Sequence, residues 1–276
     1  MAGNGQNLLT LVTTIVSTSG NMKSIWSGSL SFGMVNIPIK LYSTVEHAAS
    51  PGFKLLHVED KSPIEYRKYC KKQDAEVPWS EIVKGLEVEP GSFFLFTKEE
   101  LARLRPKKSD AIEIVEFVSP DQIDRPYLDG HYYVGPDKKR EKAFFIFSQA
   151  LKASNKNAIG RFIMREKEYT CAIAPYEGGL LLSTLNYSYE LRSIKGVENI
   201  ADQVEIKKQE LDLAVQLIDK LSAAHFDISQ YKDEFAEHLK VAIEKRDRKE
   251  LVTIEEEKQE TPEENLIDAL KHSLEA

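Results

Sequence analysis

The sequence predicts a mixed α+β fold, with a β-barrel core followed by a helical C-terminal region. Three observations indicate this fold: a long strand that bends near the N-terminus, several short β-branched segments bounded by turn residues, and apolar residues at helical spacing beyond residue 200. The chain has 276 residues and 42% hydrophobic content, so it can bury a sizeable core.

The first strand candidate runs from Ile25 to Tyr42 and changes its apolar phase halfway. Apolar side chains stand at even positions before Gly33 and at odd positions after it. One extra residue moves every later side chain to the other face, so we expect a β-bulge or bend at Gly33-Met34. Pro38 cannot donate a hydrogen bond to a sheet and fits an edge or a bend. Long bending strands are typical of closed barrels.

The remaining strand and helix candidates follow from composition and periodicity. Further strands are predicted over 92–97, 111–118, 132–134, 158–165, 169–174 and 180–187. Helices are predicted over 141–153, 203–224 and 231–249. Each helix carries an apolar stripe that we expect to pack in a core. The stripes are Phe144, Phe147 and Leu151; Leu211, Val215, Ile218 and Leu221; and Tyr231, Phe235, Leu239 and Ile243.

The two ends of the chain differ from its body. Residues 1–22 are expected to be a disordered extension, with a targeting segment at 8–16 as the less favoured alternative. Residues 251–276 form an acidic linker and a short amphipathic tail helix, for which Thr261 and Pro262 provide the start signals. That helix either occupies a partner's groove or folds back onto the body. The intervening regions are a core domain over 23–226 and a helical segment over 227–250.

Motifs that carry catalysis are missing from the sequence. It contains no phosphate-binding glycine loop and no nucleophile elbow, and no histidine lies at metal-ligand spacing from a second histidine or a cysteine. His57 precedes two acidic residues, which is common on surfaces. Cys70 and Cys171 lie far apart, which favours a reducing compartment over a disulfide framework. We therefore expect no catalytic residue, no cofactor and no metal.

The distribution of charge leaves nucleic-acid binding open. The net charge is −7, but residues 251–276 hold eight acidic residues and two lysines, a net of −6, which leaves −1 for the rest. Basic patches can therefore exist on the body. In the strand predicted over 158–165, alternation places Arg161 and Arg165 on one face, where they either contact successive phosphates or are simply exposed. Any nucleic-acid contact should involve the backbone and ignore sequence.

Several segments together resemble the bacterial Ku family. The stretch IWSGSLSFGMVNIPIKLYS, residues 25–43, closely resembles the opening motif of that family. Further similar segments follow in order: EVPWSEIVKGLE (76–87), AIEIVEFV (111–118), HYYVGPDKK (131–139), AIGRFIMREKE (158–168) and LLLSTLNYSYELRS (180–193). The terminal NLIDALKHSLEA is also similar, so the resemblance runs from about Lys23 to the end.

The resemblance implies a β-barrel core with a long looping arm, in which two identical chains interlock into a ring-shaped homodimer. Such a ring threads onto the ends of linear double-stranded DNA without sequence specificity. It recruits an ATP-dependent DNA repair ligase for non-homologous end joining, and it has no catalytic site of its own. The location that this implies is cytoplasmic, at the nucleoid, with no membrane partner.

The resemblance also suggests functional residues. Five cations lie inside the family-like segments and are predicted DNA contacts: Lys40, Lys84, Arg161, Arg165 and Arg192. Four more are predicted from charge alone: Arg67, Lys71, Lys138 and Lys139. The family's terminal region contacts the ligase, which makes the tail residues Leu266, Ile267, Leu270 and Leu274 the predicted ligase contacts.

Two departures from the family pattern limit the expectations. Many members carry a lysine-rich extension that this sequence lacks, so tethering to DNA by a basic tail is not expected. Some relatives have a cysteine pair where this chain has Cys70 alone, which again predicts no metal. Two other functions remain as alternatives: a protein-binding scaffold of the same barrel fold without DNA binding, and a hydrolase that uses Glu and His side chains.

Overall fold

The structure is a computed structural model that describes residues 22–46, 52–105, 109–137, 141–200, 206–247 and 266–275. These residues divide into two compact units at Arg192 and Ser193. The strands are β1 (Trp26–Phe32), β2 (Val35–Ser43), β3 (Tyr69–Cys70), β4 (Ala75–Glu76), β5 (Lys84–Glu89), β6 (Ser92–Phe96), β7 (Ala111–Val118), β8 (Leu128–Pro136), β9 (Asn157–Met164), β10 (Lys167–Tyr176) and β11 (Gly179–Leu185). The helices are α1 (Lys98–Leu104), α2 (Glu141–Ser154), α3 (Lys208–Leu221), α4 (Glu234–Asp247) and α5 (Leu266–Glu275).

The first unit contains a closed barrel, which confirms the predicted barrel core. Its strand order is β1-β2-β8-β11-β10-β9-β7. Neighbouring strands are antiparallel except β1 and β7, whose parallel pairing covers only Ser29–Ser31 against Ala111–Glu113. The Trp26 indole Nε1 on β1 donates a hydrogen bond of 3.2 Å to the Ile163 carbonyl on β9. This bond reaches past β7 and so reinforces the short parallel seam.

The phase change at Gly33 is a tight hairpin turn, so the predicted bulge or bend within one strand is wrong. Phe32 pairs directly with Val35, which leaves Gly33 and Met34 as a two-residue loop between β1 and β2. In this register an even position on β1 faces the same side as an odd position on β2, as Leu30 and Ile37 show. Gly33 has φ +57°, a value that suits glycine in the first position of such a turn.

The core fills the barrel and extends to helix α2. Leu30, Leu41 and Ile112 are completely buried inside the barrel. Helix α2 packs against β2, β10 and β11, and its predicted stripe of Phe144, Phe147 and Leu151 belongs to the same core. The prediction for this stripe is therefore confirmed. Burying a side chain of this size contributes about 1.5–3 kcal/mol, so α2 is held firmly to the barrel.

An insert between β2 and β7 lies outside the barrel sheet. It contains the two-stranded hairpins β3–β4 and β5–β6, followed by helix α1. Thr97, predicted as the last residue of a strand, instead caps α1: its side chain accepts from the Glu100 amide, and the Glu100 carboxylate accepts from the Thr97 amide at 2.8 Å. The hydrogen bonds that this carboxylate accepts from the Thr97 amide and hydroxyl lower the pKa of Glu100.

The second unit is helical. Helix α5 packs against α3, and Lys220 Nζ on α3 donates to the Leu274 carbonyl at 2.9 Å. The stripes predicted to be core on α3 and α4 are instead mostly exposed: Ile218 is 64% exposed and Phe235 is 59% exposed. That prediction is wrong. Periodicity shows that a helix has an apolar side, but it does not show that another element of the chain packs against that side.

Candidate nucleic-acid interface

Arg161 lies on the outer face of the barrel. Its neighbours Phe162 and Met164 on β9 point inward and are buried, whereas Arg161 is exposed. Glu113 on β7 and Thr170 on β10 are its direct cross-strand neighbours. The barrel thus fixes the backbone of Arg161 and leaves its side chain open to solvent.

Arg165 lies in the turn after β9, so the expectation that it shares a strand face with Arg161 is wrong. Met164 pairs with Lys167, and Arg165 and Glu166 form a two-residue loop with φ values of +51° and +68°. Two consecutive left-handed residues suit a hairpin turn that follows the twist of the strands. Glu166 is paired with the guanidinium of Arg105. We call Arg105, Arg165 and Lys167 the basic turn, because their cations outnumber its one acid.

Lys40 lies on another wall of the barrel. Ile39 and Leu41 on β2 point inward, so Lys40 points outward, and β2 is separated from β9 by two strands one way and three the other. In a seven-stranded barrel these are nearly opposite sides. Lys40 Nζ also lies 2.8 Å from the Asp137 carboxylate, which raises the pKa of Lys40 through a hydrogen bond and charge attraction. The structure therefore does not bring Lys40 together with Arg161.

Three further predicted cations lie on the insert. Arg67 lies 3.0 Å from Glu76 and 3.7 Å from Glu65, and the Glu76 hydrogen bond is the main reason that the pKa of Arg67 is raised. Lys71 is exposed in the β3–β4 turn. Lys84 is exposed at the start of β5, opposite Phe96. Lys138 and Lys139 lie outside the described residues.

The sequence reasoning missed two aromatic groups: one precedes the predicted contact Arg192 in the sequence, and the other contacts Lys68, which was not among the predicted contacts. The rings of Tyr187 and Tyr189 are stacked, with centroids 5.5 Å apart and planes 6° from parallel, shortly before the exposed Arg192. In the insert, the Lys68 ammonium lies over the ring of Trp79, which is 72% exposed. The two tyrosines lie in a turn, in which the Glu190 amide donates to the Tyr187 carbonyl at 2.9 Å, so the alternation of strand residues could not have indicated this pair.

The predicted ligase contacts lie on helix α5. Ile267, Leu270 and Leu274 are half-buried, whereas Lys271 and Ser273 are exposed. The apolar side of α5 thus faces α3 within the second unit, which corresponds to a tail that folds back. For Leu266 the structure gives the backbone position at the start of the helix.

Groups that could support catalysis or metal binding were also located. Asp60 accepts hydrogen bonds from the Ser62 amide and hydroxyl, which lower its pKa, and lies 3.1 Å from the Nδ1 of His57. These contacts make a local turn. Within the described ranges, no three His, Cys, Asp or Glu side chains are grouped closely enough to hold a metal ion. Burial raises the pKa of Cys171 to about 12.

These features define a β-barrel protein whose candidate site is a set of exposed cations on the barrel and its insert. The sequence model of the protein family described as the Ku70/Ku80 beta-barrel domain matches residues 31–213 of this chain. The chain belongs to the Ku family. A protein of Archaeoglobus fulgidus named non-homologous end joining protein Ku is 37% identical over 92% of this chain and 99% of its own length.

A second relative supports the same family. The Bacillus subtilis protein of the same name is 36% identical over 79% of this chain and 70% of its own length. Among solved structures, the SPOC domain of human PHD-finger protein 3 matches with a TM-score of 0.28 at 11% identity, covering 59% of this chain and 95% of that domain. That similarity is too low to contribute to the assignment. None of the helices described is both long and apolar enough to cross a membrane.

Proposed function

We propose that this chain binds the ends of linear double-stranded DNA without sequence specificity and recruits an ATP-dependent DNA ligase in non-homologous end joining. The observation that carries the proposal is the match to an end-joining relative across 92% of this chain and 99% of that relative. The protein acts as a binding component rather than as an enzyme, in the cytoplasm where the nucleoid lies.

Arg161 and the basic turn support a backbone-directed DNA contact. The side chain of Arg161 is exposed on a rigid strand that ends at Met164, about 10 Å further along at 3.3 Å per residue, and Arg165 lies in the turn beyond it. A duplex presents one phosphate per about 1.7 Å of its axis, so cations at this separation can contact different phosphates. Contacts to phosphates position a protein on DNA without reading bases, which is what repair of arbitrary breaks requires.

Lys40 and Arg67 are weaker candidates for phosphate contacts. Each is already paired with a carboxylate, so a phosphate would have to displace Asp137 or Glu76 before it gained the cation. A surface pair of this kind is worth only about 0–1 kcal/mol, so the exchange is possible but adds little affinity. We therefore propose the main DNA contact at Arg161, Arg165 and Lys167, and Arg105 ranks with the weaker candidates because it is already paired with Glu166. Lys71, Lys84 and Arg192 are proposed as further contacts.

The insert supports an assembly of two copies into a ring. Both faces of the β5–β6 hairpin carry exposed apolar side chains; Leu86, Phe93, Phe94 and Leu95 are each between 57% and 60% exposed. An isolated two-stranded hairpin is marginally stable in water, and exposed aromatic side chains favour burial against a partner. A second copy of the chain supplies that partner in the proposed ring, and the insert serves as the arm.

The test compares one duplex in two forms, linear and covalently closed, in a gel-shift titration. A ring that threads over ends should shift the linear form and leave the closed form unbound. Affinity for the linear form should fall steeply as the salt concentration rises, because binding is driven largely by the release of salt counterions from the DNA phosphates. Equal shifts of both forms would contradict threading, and no shift of either would favour the protein-binding scaffold.

A further inference from the structure

Helix α3 has two apolar sides, and among the described residues only one of these sides is covered. Leu213, Ala214 and Leu217 are half-buried, whereas Leu211 and Val215 are 54% and 46% exposed. These two sets alternate along the helix at spacings of three and four residues, so each set forms its own face. Helix α5 packs against α3, so the half-buried set, which we call the tail-docking face, is the side that α5 covers.

Helix α5 uses its apolar side for this contact. Ile267, Leu270 and Leu274 are half-buried, which leaves the polar residues Lys271 and Ser273 in solvent. At the end of α5 the Lys220 ammonium donates to the Leu274 carbonyl at 2.9 Å. The last carbonyls of a helix lack intrahelical partners and carry partial negative charge, so a lysine at this point satisfies one of them and complements the helix dipole.

We propose that the tail-docking face of α3 holds the tail helix when no ligase is bound, and that the ligase must take the tail away from α3. This inference rests on the proposed function, in which the tail contacts the ligase. The side chains that would contact the ligase, Ile267, Leu270 and Leu274, are the ones that α3 covers. One short helix cannot present a single apolar side to two surfaces at once, so the two contacts exclude each other.

The chemistry of the tail-docking face also describes the surface that the ligase offers. That surface must provide an apolar groove for the three aliphatic side chains. It must also place a Lys or Arg where Lys220 lies, at the C-terminal end of the tail helix. Internal docking competes well because α3 and α5 belong to one chain, which gives the tail a high effective concentration at α3.

The experiment uses the full chain and measures amide hydrogen exchange of residues 266–275 by mass spectrometry. The test variant changes Leu213→Ser and Leu217→Ser on the tail-docking face. The matched control changes Leu211→Ser and Val215→Ser, which have the same spacing on the exposed face. We expect at least tenfold faster exchange of the tail in the test variant and no change in the control. Lys220→Ala should give a smaller acceleration.

Ligase binding is measured on the same proteins with the purified ATP-dependent end-joining ligase of the source organism. Removing the internal competitor should tighten binding about tenfold in the test variant, because apparent affinity scales with the fraction of free tails. Unchanged tail exchange in the test variant, or in Lys220→Ala with α3 itself still protected, would overturn internal docking. Unchanged or weaker ligase binding in the test variant would overturn the competition.

A tail variant separates this inference from the proposed function. Leu270→Ser should weaken ligase binding in every background, since it removes an apolar contact from the tail itself. Ligase binding unaffected by Leu270→Ser would refute the tail as the ligase contact and the competition with it. The exchange measurement would then still decide whether α3 holds the tail.

Discussion

The ammonium group of Lys40 lies 2.8 Å from Asp137, and the guanidinium of Arg67 lies 3.0 Å from Glu76. Both residues count as full cations in the sequence, and the fold offsets both with an acid from elsewhere in the chain. Among the described residues Arg161 forms no such ion pair, although the exposed Glu113 on β7 is its direct cross-strand neighbour. The sequence gives the charge of each side chain, but which carboxylate forms an ion pair with each cation depends on the fold.

Reversing the charge of Arg161 and Arg165 tests the assigned DNA contact. Arg161→Glu with Arg165→Glu should weaken binding to a linear duplex about 100-fold at low salt, because two attractive contacts become repulsive. The slope of log affinity against log salt should also become shallower by about two, near 0.9 per lost phosphate contact. Fluorescence anisotropy with a labelled blunt duplex measures both.

The matched control reverses two exposed lysines of the helical unit, Lys232→Glu with Lys240→Glu. It makes the same change in net charge and should cost little affinity. Equal losses in both variants would mean that net charge alone drives binding, and β9 would then lose its assigned role.

Cys171 offers a test of the barrel interior. Its thiol is completely buried, and burial raises its pKa from 9.0 to about 12. Because the folded pKa lies above the unfolded one, this group's contribution to stability is intact below about pH 9 and is lost as the pH rises toward 12. Iodoacetamide at pH 8 should therefore label half-exposed Cys70 in the native protein and Cys171 only after unfolding. Equal labelling rates would contradict a closed core.

The β1–β2 hairpin shows what patterning specifies at the scale of an element. The apolar phase change at Gly33 was visible in the sequence, and it does mark the end of one strand and the start of the next. A bulge and a two-residue turn both reverse the phase, so the pattern alone could not distinguish them. The pairing of the strands distinguishes them: β2 pairs back onto β1, and this pairing is seen only in the folded chain.

The turn at Gly33 gives an element-scale prediction for stability. A Cβ at this position would meet no atom within 4 Å, so a substitution acts through the backbone alone. At φ +57° a β-branched residue is strained, and Gly33→Val should lower the free energy of unfolding by about 1–2 kcal/mol. Gly33→Asn should cost less, since Asn tolerates this region. Equal effects in urea denaturation would contradict the turn geometry.

Helix periodicity was reliable for position and unreliable for burial. It predicted helices that overlap α2, α3, α4 and α5, and it identified the buried side of α2. On α3 it identified Leu211, Val215 and Ile218, which the structure leaves exposed, and gave no weight to Leu213 and Leu217, which face α5. Apolar residues at helical spacing indicate that a helix has a packing partner. They do not indicate which side of α3 meets that partner, because α5 lies about 50 residues away in sequence.

Removing the tail tests the division of labour between the two units. A chain lacking residues 255–276 should bind linear DNA as the intact chain does, because the proposed DNA contacts lie on the barrel and its insert. It should fail to stimulate a ligase in an end-joining assay. The control is the full-length chain in which the sequence of residues 266–275 is scrambled, with the composition of that segment and the linker unchanged. Loss of DNA binding on truncation would contradict this assignment.

At the scale of the whole molecule, the resemblance carried more information than the composition did. Net charge of −7 argues against a DNA-binding protein until the acidic tail is considered separately. The family match and the closed barrel support the sequence-based assignment. Which cations face the duplex in the proposed ring depends on how the two copies pack together. The residue pattern of one chain does not predict that packing.

Enclosure of a duplex by two copies is the central claim, and the mass of the particle in solution tests it most directly. Light scattering should be measured with and without a short blunt duplex. The account predicts the mass of two chains without DNA, and two chains plus one duplex with it. A single chain in either state, or one chain per duplex, would contradict the ring.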